Sequence, residues 1–395
     1  MMIGTVEALE LVLLHGAELV ETIEIDPKDA LDYVLAKDVI SSIDMPPFRQ
    51  SAMDGYALNI WVRSKYTLIG EIQAGGDQNP ELMPGQAVRI FTGAAVPDSA
   101  TAVVMQERVS VEGNRLTLNI PVHVEMNIRP KGEQIKRGAI ALFAGTTIKG
   151  AHIGFLAGLG VTKIRVCEKP SIAIVVTGNE LVAPGKPLSD GKIYESNGAM
   201  LKATLDGLGY KNATVRRLLD DYEETKKVLD KIVSNFDVVI VTGGVSVGEY
   251  DFVGKALHAI GVQEIFYKVR QKPGKPLFFG KKGQTSIVGL PGNPAAALTC
   301  FYIYVYPLLK KCEGAENPNL LAITLPLLMG CEVSGGDRAQ FLKARINEIG
   351  VEILGGQSSA MVRAFGDANG LVFLPEHSTV FKKGELVKTI LLPNT

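Results

Sequence analysis

Two unbroken apolar stretches limit the fold more than anything else in the chain: IAIVV within SIAIVVTG at 171–178 and VVIV within DVVIVTGG at 237–244. A strand with one wet face alternates apolar and polar residues. A run without that alternation has both faces buried, as in a parallel sheet covered by helices on each side. The segments around them agree. ESNGAMLKATLDGLGY (195–210) opens with the cap-like pair Ser196-Asn197 and reads as a helix. ATVRRLL (213–219) reads as a strand and DYEETKKVLDKIVSNF (221–236) as a charged amphipathic helix. Strands alternating with helices of about ten to fifteen residues are the signature of βαβ units, so residues 169–312 are expected to form an α/β domain.

The flanking regions follow other patterns. Residues 5–21 predict a helix with Ala8, Leu11, Val12 and Leu19 on one face, and 26–40 a short helix and strand. Pro46-Pro47 breaks regular structure. From 46 to 138 the chain reads as short strands, among them YTLIGEIQAGG, QAVRIFTGAAVP, TAVVMQE and RLTLNIPVHV, punctuated by Gly75-Gly76, Pro84-Gly85 and Gly113-Asn114. GTTIKGAHIGFLAGLG predicts a helix within 139–168, and 313–395 returns to short strands with glycine-rich turns. A length of 395 residues is too long for one ordinary domain.

Composition excludes some functions. The net charge of −1 gives no overall basic footprint for duplex nucleic acid, and none is expected as a partner. Cys167, Cys300, Cys312 and Cys331 form no C-x-x-C pair, and the five histidines have no metal-ligand spacing. Unpaired thiols suit a reducing cytosol. The first helix carries Glu7 and Glu10 and lacks a basic leader, so it does not read as a signal peptide. The longest apolar run, 295–309, is interrupted by Pro307 and falls short of the roughly 18 residues that span a bilayer. A soluble, cytoplasmic protein without a membrane partner is expected.

Chemistry is expected in three loops. Ligands of open parallel sheets bind beyond the carboxyl ends of the strands. Thr177-Gly178-Asn179-Glu180 and the longer Thr242-Gly243-Gly244-Val245-Ser246-Val247-Gly248-Glu249-Tyr250-Asp251 occupy such positions, their glycines allowing close backbone approach. Pro291-Gly292-Asn293-Pro294 opens a helix whose N-terminus is expected to attract an oxyanion. Upstream, Lys268, Arg270, Lys272 and Lys275 alternate with Pro273, Gly274 and Pro276, a loop held in shape and suited to anions. Glu180, Asp220, Asp221, Glu249 and Asp251 lie at or near strand ends. Carboxylates repel phosphate, so beside a cationic loop they suit a hard divalent cation bridging to phosphate oxygens.

With these residues assembled, the chain resembles the MoeA family, a likeness shared with the C-terminal domain of gephyrin. The most distinctive motif is PFRQSAMDGYA at 47–57. Arg89-Ile90-Phe91-Thr92-Gly93-Ala94, AVVMQE (102–107), Asn127-Ile128-Arg129, Gly132-Glu133, TGNEL, TGGVSVGEYD, KPGKP and GLPGNP follow in family order. The resemblance runs nearly end to end. It implies an N-terminal helix at 1–21, a discontinuous linking domain at 22–45 and 139–168, and an inserted β domain at 46–138. A three-layer α/β molybdopterin-binding-like domain at 169–312 and a C-terminal β barrel at 313–395 complete the set.

The implied function is insertion of molybdate into adenylyl-molybdopterin, giving molybdenum cofactor and AMP in a Mg²⁺-dependent step. The implied assembly is a homodimer whose active site is shared between subunits, with transient contact to the molybdopterin adenylyltransferase. Carried onto this sequence, the catalytic set is Asp54, Thr92, Arg129, Glu180, Asp220, Asp251, Lys268 and Lys272, with Glu180, Asp220 and Asp251 as metal ligands. Thr177, Gly178, Gly243, Gly244, Ser246, Lys275, Pro291, Gly292, Asn293 and Pro294 are the expected substrate-binding residues. Two departures stand out: Gln134, where the family often has Asp, and Lys343, where Arg is common. A catalytically silent pterin-binding or scaffold protein, and a tungstate-inserting member of the same family, are the alternatives.

Overall fold

Two units of unequal size make up the chain in the computed structural model, which describes residues 2–17, 21–219, 221–244, 252–333 and 336–393. The larger takes in residues 1–24, 32–36 and 165–395, and the smaller 25–31 and 37–164. Helix α1 (Thr5–His15) opens the larger unit and buries Ala8 and Val12. It ends earlier than the periodicity predicts. Gly16 leaves the helix in an extended conformation, and the Leu308 side chain packs where a Cβ at that position would sit. Leu19 lies outside the described residues.

The smaller unit is built on six strands: β1 (Gly55–Leu58), β2 (Lys65–Ile72), β3 (Gln86–Ile90), β4 (Ala102–Met105), β5 (Val109–Glu112) and β6 (Arg115–Leu118). Their order is β4-β1-β3-β2-β6-β5, with β2 and β3 parallel and the other pairs antiparallel. Ala57, Ile72, Val88, Ile90 and Val103 form one core of this sheet. Gly55 pairs with both Ile90 and Met105, and a Cβ there would lie 1.9 Å from the Val104 carbonyl oxygen. Only glycine fits. In the same motif Arg49 donates to the carbonyls of Pro97, Asp98 and Ala100, which makes it a structural pin for that turn. Helix α2 (Gly150–Gly158) closes the unit's chain.

The larger unit holds the α/β sheet. In chain order its elements are β7 (Ile172–Thr177), α3 (Asn197–Gly207), β8 (Thr214–Leu218), α4 (Tyr222–Val233), β9 (Val238–Thr242) and α5 (Phe252–Ala259). Then come β10 (Gln263–Lys268), β11 (Gln271–Lys272), β12 (Pro276–Lys282) and β13 (Thr285–Leu290). The sheet order is β8-β7-β9-β13-β12-β10. The first four strands are parallel, and β12 and β10 run antiparallel to their neighbours. Ile172, Ile174 and Val176 enter one core with Leu201 and Phe301; Ala173 and Val175 enter the other with Leu229 and Leu257. Both faces are dry, as the unbroken apolar runs require.

Helices α6 (Pro294–Cys300) and α7 (Tyr306–Cys312) are joined by a π-helical turn over Phe301–Val305. Pro307 lacks an N–H, and the turn absorbs it without breaking the helix. Beyond them lie β14 (Ala322–Pro326), β15 (Ala339–Asn347), β16 (Gly350–Ile353), β17 (Gly370–Leu374) and β18 (Leu386–Leu391). Strand β15 pairs with β16 and β17, β17 with β18, and β18 with β14. A bridge from Leu327 to Val351 joins β14's end to β16 and closes the barrel around Leu342, Val372 and Leu374.

Candidate functional site

The chain passes from β7 to β8 on one side and then to β9 on the other, so the sheet's switch point lies between β7 and β9. At that point the carboxyl ends of β7, β9 and β13 border a cleft of about 900 Å³ in the larger unit. Its lining includes Thr177, Glu180, Gly243, Pro291, Gly292 and Asn293 from the strand-end loops. Lys272, Lys275 and Arg338 bring positive charge, and Glu180 and Glu195 negative charge. Gly243 has φ +84°, and a Cβ on it would meet the Thr177 carbonyl oxygen at 2.3 Å. The close approach of the β7 and β9 loops therefore depends on its being glycine.

Polar side chains tie these loops together. Asn197 Nδ2 donates to Thr242 Oγ1 and to the Gly292 carbonyl, both at 2.8 Å. Asn197 Oδ1 and Thr177 Oγ1 are buried at the cleft floor without a hydrogen-bond partner among the described residues. Glu195 caps α3 by accepting from Gly198 N at 2.7 Å; the Ser196 side chain makes no cap bond, contrary to the cap-like reading of its sequence. Asp221 is the N-cap of α4 and accepts from Glu224 N at 2.8 Å. That carboxylate serves the helix.

The basic loop is open in charge and fixed in backbone. Among the described residues, neither the Lys272 nor the Lys275 ammonium has a hydrogen-bond or ion-pair partner. Val269 N donates to the Lys275 carbonyl at 3.0 Å, and β11 pairs in parallel with β15 of the barrel. The far wall comes from residues 357–360. Buried Lys343 holds that wall by donating to the carbonyls of Gly356, Ser358 and Met361 at 2.6, 3.3 and 3.1 Å. Burial pulls its pKa below the ordinary lysine value. The expectation of a free helix N-terminus at Pro294 needs correction. Ala296 N donates to the Ser359 carbonyl, and Asn293 Nδ2 to Ser359 Oγ, so the wall itself takes up part of that end.

The smaller unit carries a second polar constellation. Asp54 Oδ1 accepts from Thr92 N and from Thr92 Oγ1, each at 2.7 Å. These bonds, the backbone one first, with help from Arg89, hold the Asp54 carboxyl below the ordinary carboxylate range. Tyr56 lies opposite Arg89 in the β1–β3 register, and the guanidinium sits 5.0 Å from the Tyr56 ring and 5.0 Å from the Phe91 ring. Arg89 then donates to Gln106 Oε1 at 2.5 Å, and Gln106 to Glu107 at 3.0 Å. Hydrogen bonds from its own backbone and from Gln106 lower the Glu107 pKa as well.

The description of the MoeA N-terminal region (domains I and II) matches residues 3–160, that of a probable molybdopterin-binding domain 173–311, and that of the MoeA C-terminal region (domain IV) 332–392. A molybdopterin molybdenumtransferase from Staphylococcus epidermidis is 33% identical over 401 residues, covering 98% of this chain and 95% of its own length. The chain belongs to the MoeA family. A Haemophilus influenzae relative of the same name is 35% identical, covering 91% of each chain. The molybdopterin biosynthesis moeA protein of Pyrococcus horikoshii superposes with a TM-score of 0.86 at 28% identity, covering 99% of this chain and 100% of that one.

Measured against the family motifs, the cleft gathers nine of the expected residues: Thr177, Glu180, Gly243, Lys272, Lys275, Pro291, Gly292, Asn293 and Pro294. Gly178 is buried beneath the Glu180 carboxylate, 2.7 Å from where its Cβ would be, and Gly244 packs near Thr177 Oγ1. Lys268 ends β10, with its ammonium 5.7 Å from the Tyr267 ring, and is not among the lining residues. Asp54 and Thr92 meet in the smaller unit. Arg129 is exposed there, paired with Gln50 in a short ladder, and Gln134 is exposed on a nearby turn. Asp220, Ser246 and Asp251 lie outside the described residues.

Motif reading passes over Glu195, Asn197, Arg338 and Ser359. The only sequence signal for Asn197 is its place in the cap-like Ser196-Asn197 pair. Among the described residues no three His, Cys, Asp or Glu side chains cluster as a metal site. The Glu180 carboxylate, which has no described hydrogen-bond or ion-pair partner, offers hard oxygen donors of the kind magnesium takes.

Proposed function

We propose that the chain is a molybdopterin molybdenumtransferase, inserting molybdate into adenylyl-molybdopterin and releasing AMP. The observation that carries this reading is the pair of ammonium groups, on Lys272 and Lys275, that line the same cleft as the Glu180 carboxylate at the ends of parallel strands, all three without a partner among the described residues. Buried floor atoms without partners, on Thr177 and Asn197, belong to a site made for a ligand more than to a finished core.

In this reading Lys272 and Lys275 bind molybdate and phosphate oxygens and offset charge that grows on the phosphoryl group as AMP departs. Gly243 and Gly178 let the backbone come close to the pterin phosphate. Glu180, with Asp220 and Asp251, would hold magnesium, which supplies Lewis-acid polarisation of the phosphoanhydride when bound. Asp54, Thr92 and Arg129 act from the partner subunit of a homodimer, the smaller unit of one chain serving the cleft of the other. Asp54 does so as a carboxylate that Thr92 keeps ionised and oriented.

The finer division of the smaller unit and its neighbours into linking and inserted domains belongs to the same reading, as do a cytoplasmic location and contact with the adenylyltransferase. Four unpaired cysteines support the location, and no described helix is long and apolar enough to cross a membrane. The test is AMP release from adenylyl-molybdopterin on addition of molybdate, with and without magnesium. Release supports the transferase. Tight pterin binding without release would favour the silent carrier, and competition by tungstate would measure the preference for either metal.

A further inference from the structure

Under the basic loop lies a side chain with no part in the chemistry so far described. Gln271 is wholly buried at the start of β11, next to Lys272. Its Nε2 donates to the Gly274 carbonyl and to Cys300 Sγ, both at 3.2 Å, and its Oε1 accepts from the Tyr304 hydroxyl at 2.5 Å. The chemistry of the partners fixes the amide's orientation. A carbonyl can only accept, so the NH₂ end must face Gly274, and the oxygen is left for the tyrosine.

The result is a ring closed by a side chain. Gln271 reaches over Lys272 and Pro273 to grip Gly274, while the Val269–Lys275 backbone bond closes the loop outside it. Gly274 has φ +89°, and a Cβ on it would lie 2.3 Å from Cys300 Sγ, so the loop rests directly on α6. Burial pushes the Cys300 thiol up to about 12, which keeps it protonated, neutral and able to share in this contact. Tyr304 stands one turn further along, in the π-helical segment, and is also wholly buried. An unmade bond in so dry a place carries the full desolvation cost of the group left behind. The amide therefore fixes the loop firmly.

We infer that Gln271 is the positioning residue for Lys272 and Lys275: through Gly274 below and Tyr304 behind, it sets where the two ammonium groups stand over the strand ends. The inference rests on the reading of these lysines as oxyanion ligands. A charged ligand group moved by about 1 Å loses much of its effect on a bound anion.

The experiment measures molybdate binding to the full-length protein by calorimetry, at a temperature where each variant keeps the wild-type circular dichroism. Lys272→Ala tests the reading and Gln271→Leu the inference. About tenfold weaker binding is expected for Gln271→Leu, and a smaller loss for Tyr304→Phe, which keeps the ring and removes the hydroxyl. Gln271→Glu adds a readout that loss of packing alone would not move. Its protonated form can still donate to Gly274, so binding should approach wild type near pH 6 and weaken, relative to wild type at the same pH, toward pH 9, over the range of about that span in which buried glutamates titrate. Weaker binding in Lys272→Ala with unchanged binding in Gln271→Leu, or a flat pH ratio for Gln271→Glu should the leucine variant not fold, overturns the inference and leaves the cleft reading standing. Unchanged binding in Lys272→Ala overturns both.

Discussion

Lys272 and Lys275 have no described partner for their charge, whereas Asp54 is bonded to Thr92, and Arg89, Gln106 and Glu107 are bonded in a chain. The cleft of the larger unit fixes its backbone by buried side chains, Gln271 below and Lys343 behind, and leaves its ionic groups open. The patch on the smaller unit does the reverse. Its groups are mostly exposed to solvent but already oriented by hydrogen bonds. Open charge on a fixed frame suits the capture of an anion from water. Carboxylates held ionised by their neighbours suit a group presented to a ligand bound elsewhere.

The contrast can be broken most severely at Lys272. Charge reversal, Lys272→Glu, should lower AMP release by about a thousandfold or more, since an oxyanion would then meet repulsion where it met attraction. Turnover near wild type would remove the larger unit's cleft from the chemistry. Next in size is Gly55→Ala, whose methyl would be forced against the Val104 carbonyl. It should destabilise the smaller unit by about 3 kcal/mol in chemical denaturation and spare the far-ultraviolet signal of the α/β sheet. Loss of both units together would mean that their stabilities are not separate.

Lys343→Met is expected to be milder, costing about 2 kcal/mol through the Gly356 and Met361 carbonyls left without a donor, and to weaken molybdate binding by loosening residues 356–361. A melting curve and a binding isotherm on the same sample would check it.

The smallest effect sharpens the comparison from the other side. Thr92→Val removes the hydroxyl donor to Asp54, so the Asp54 carboxyl should titrate closer to the ordinary range, read by carboxyl NMR. In the wild-type protein its folded pKa is depressed. Its contribution to stability is therefore present above the unfolded value and is lost as pH falls through the lower, folded one. The variant should show less of that acid-side loss. An unmoved titration would show that the backbone N–H at position 92 and Arg89, and not the hydroxyl, govern Asp54.

Legibility in the sequence divides along the same line. The runs at 172–177 and 238–242 announce the sheet because burial on both faces leaves no room for polar residues. The motif loops after them are placed where parallel-sheet geometry requires. What sequence could not show is which polar residues are spent on structure. Arg49 and Asp221 look available for chemistry, yet one pins a turn and the other caps a helix. Asn197 and Gln271 look incidental because their partners stand 45 and 33 residues away, a relation created only by folding. The helix that stops at His15 and the α6 end covered by Ser359 have the same cause: packing from distant segments overrides local pattern.

The proposal of a site shared between subunits is tested most directly by complementation. Asp54→Asn and Glu180→Gln variants, each inactive alone, would be unfolded together, reassembled at equal concentrations and assayed for AMP release. If one chain's Asp54 serves its partner's Glu180, mixed dimers carry one intact site and activity should return to about a quarter of wild type. A mixture as inactive as its components would contradict the account.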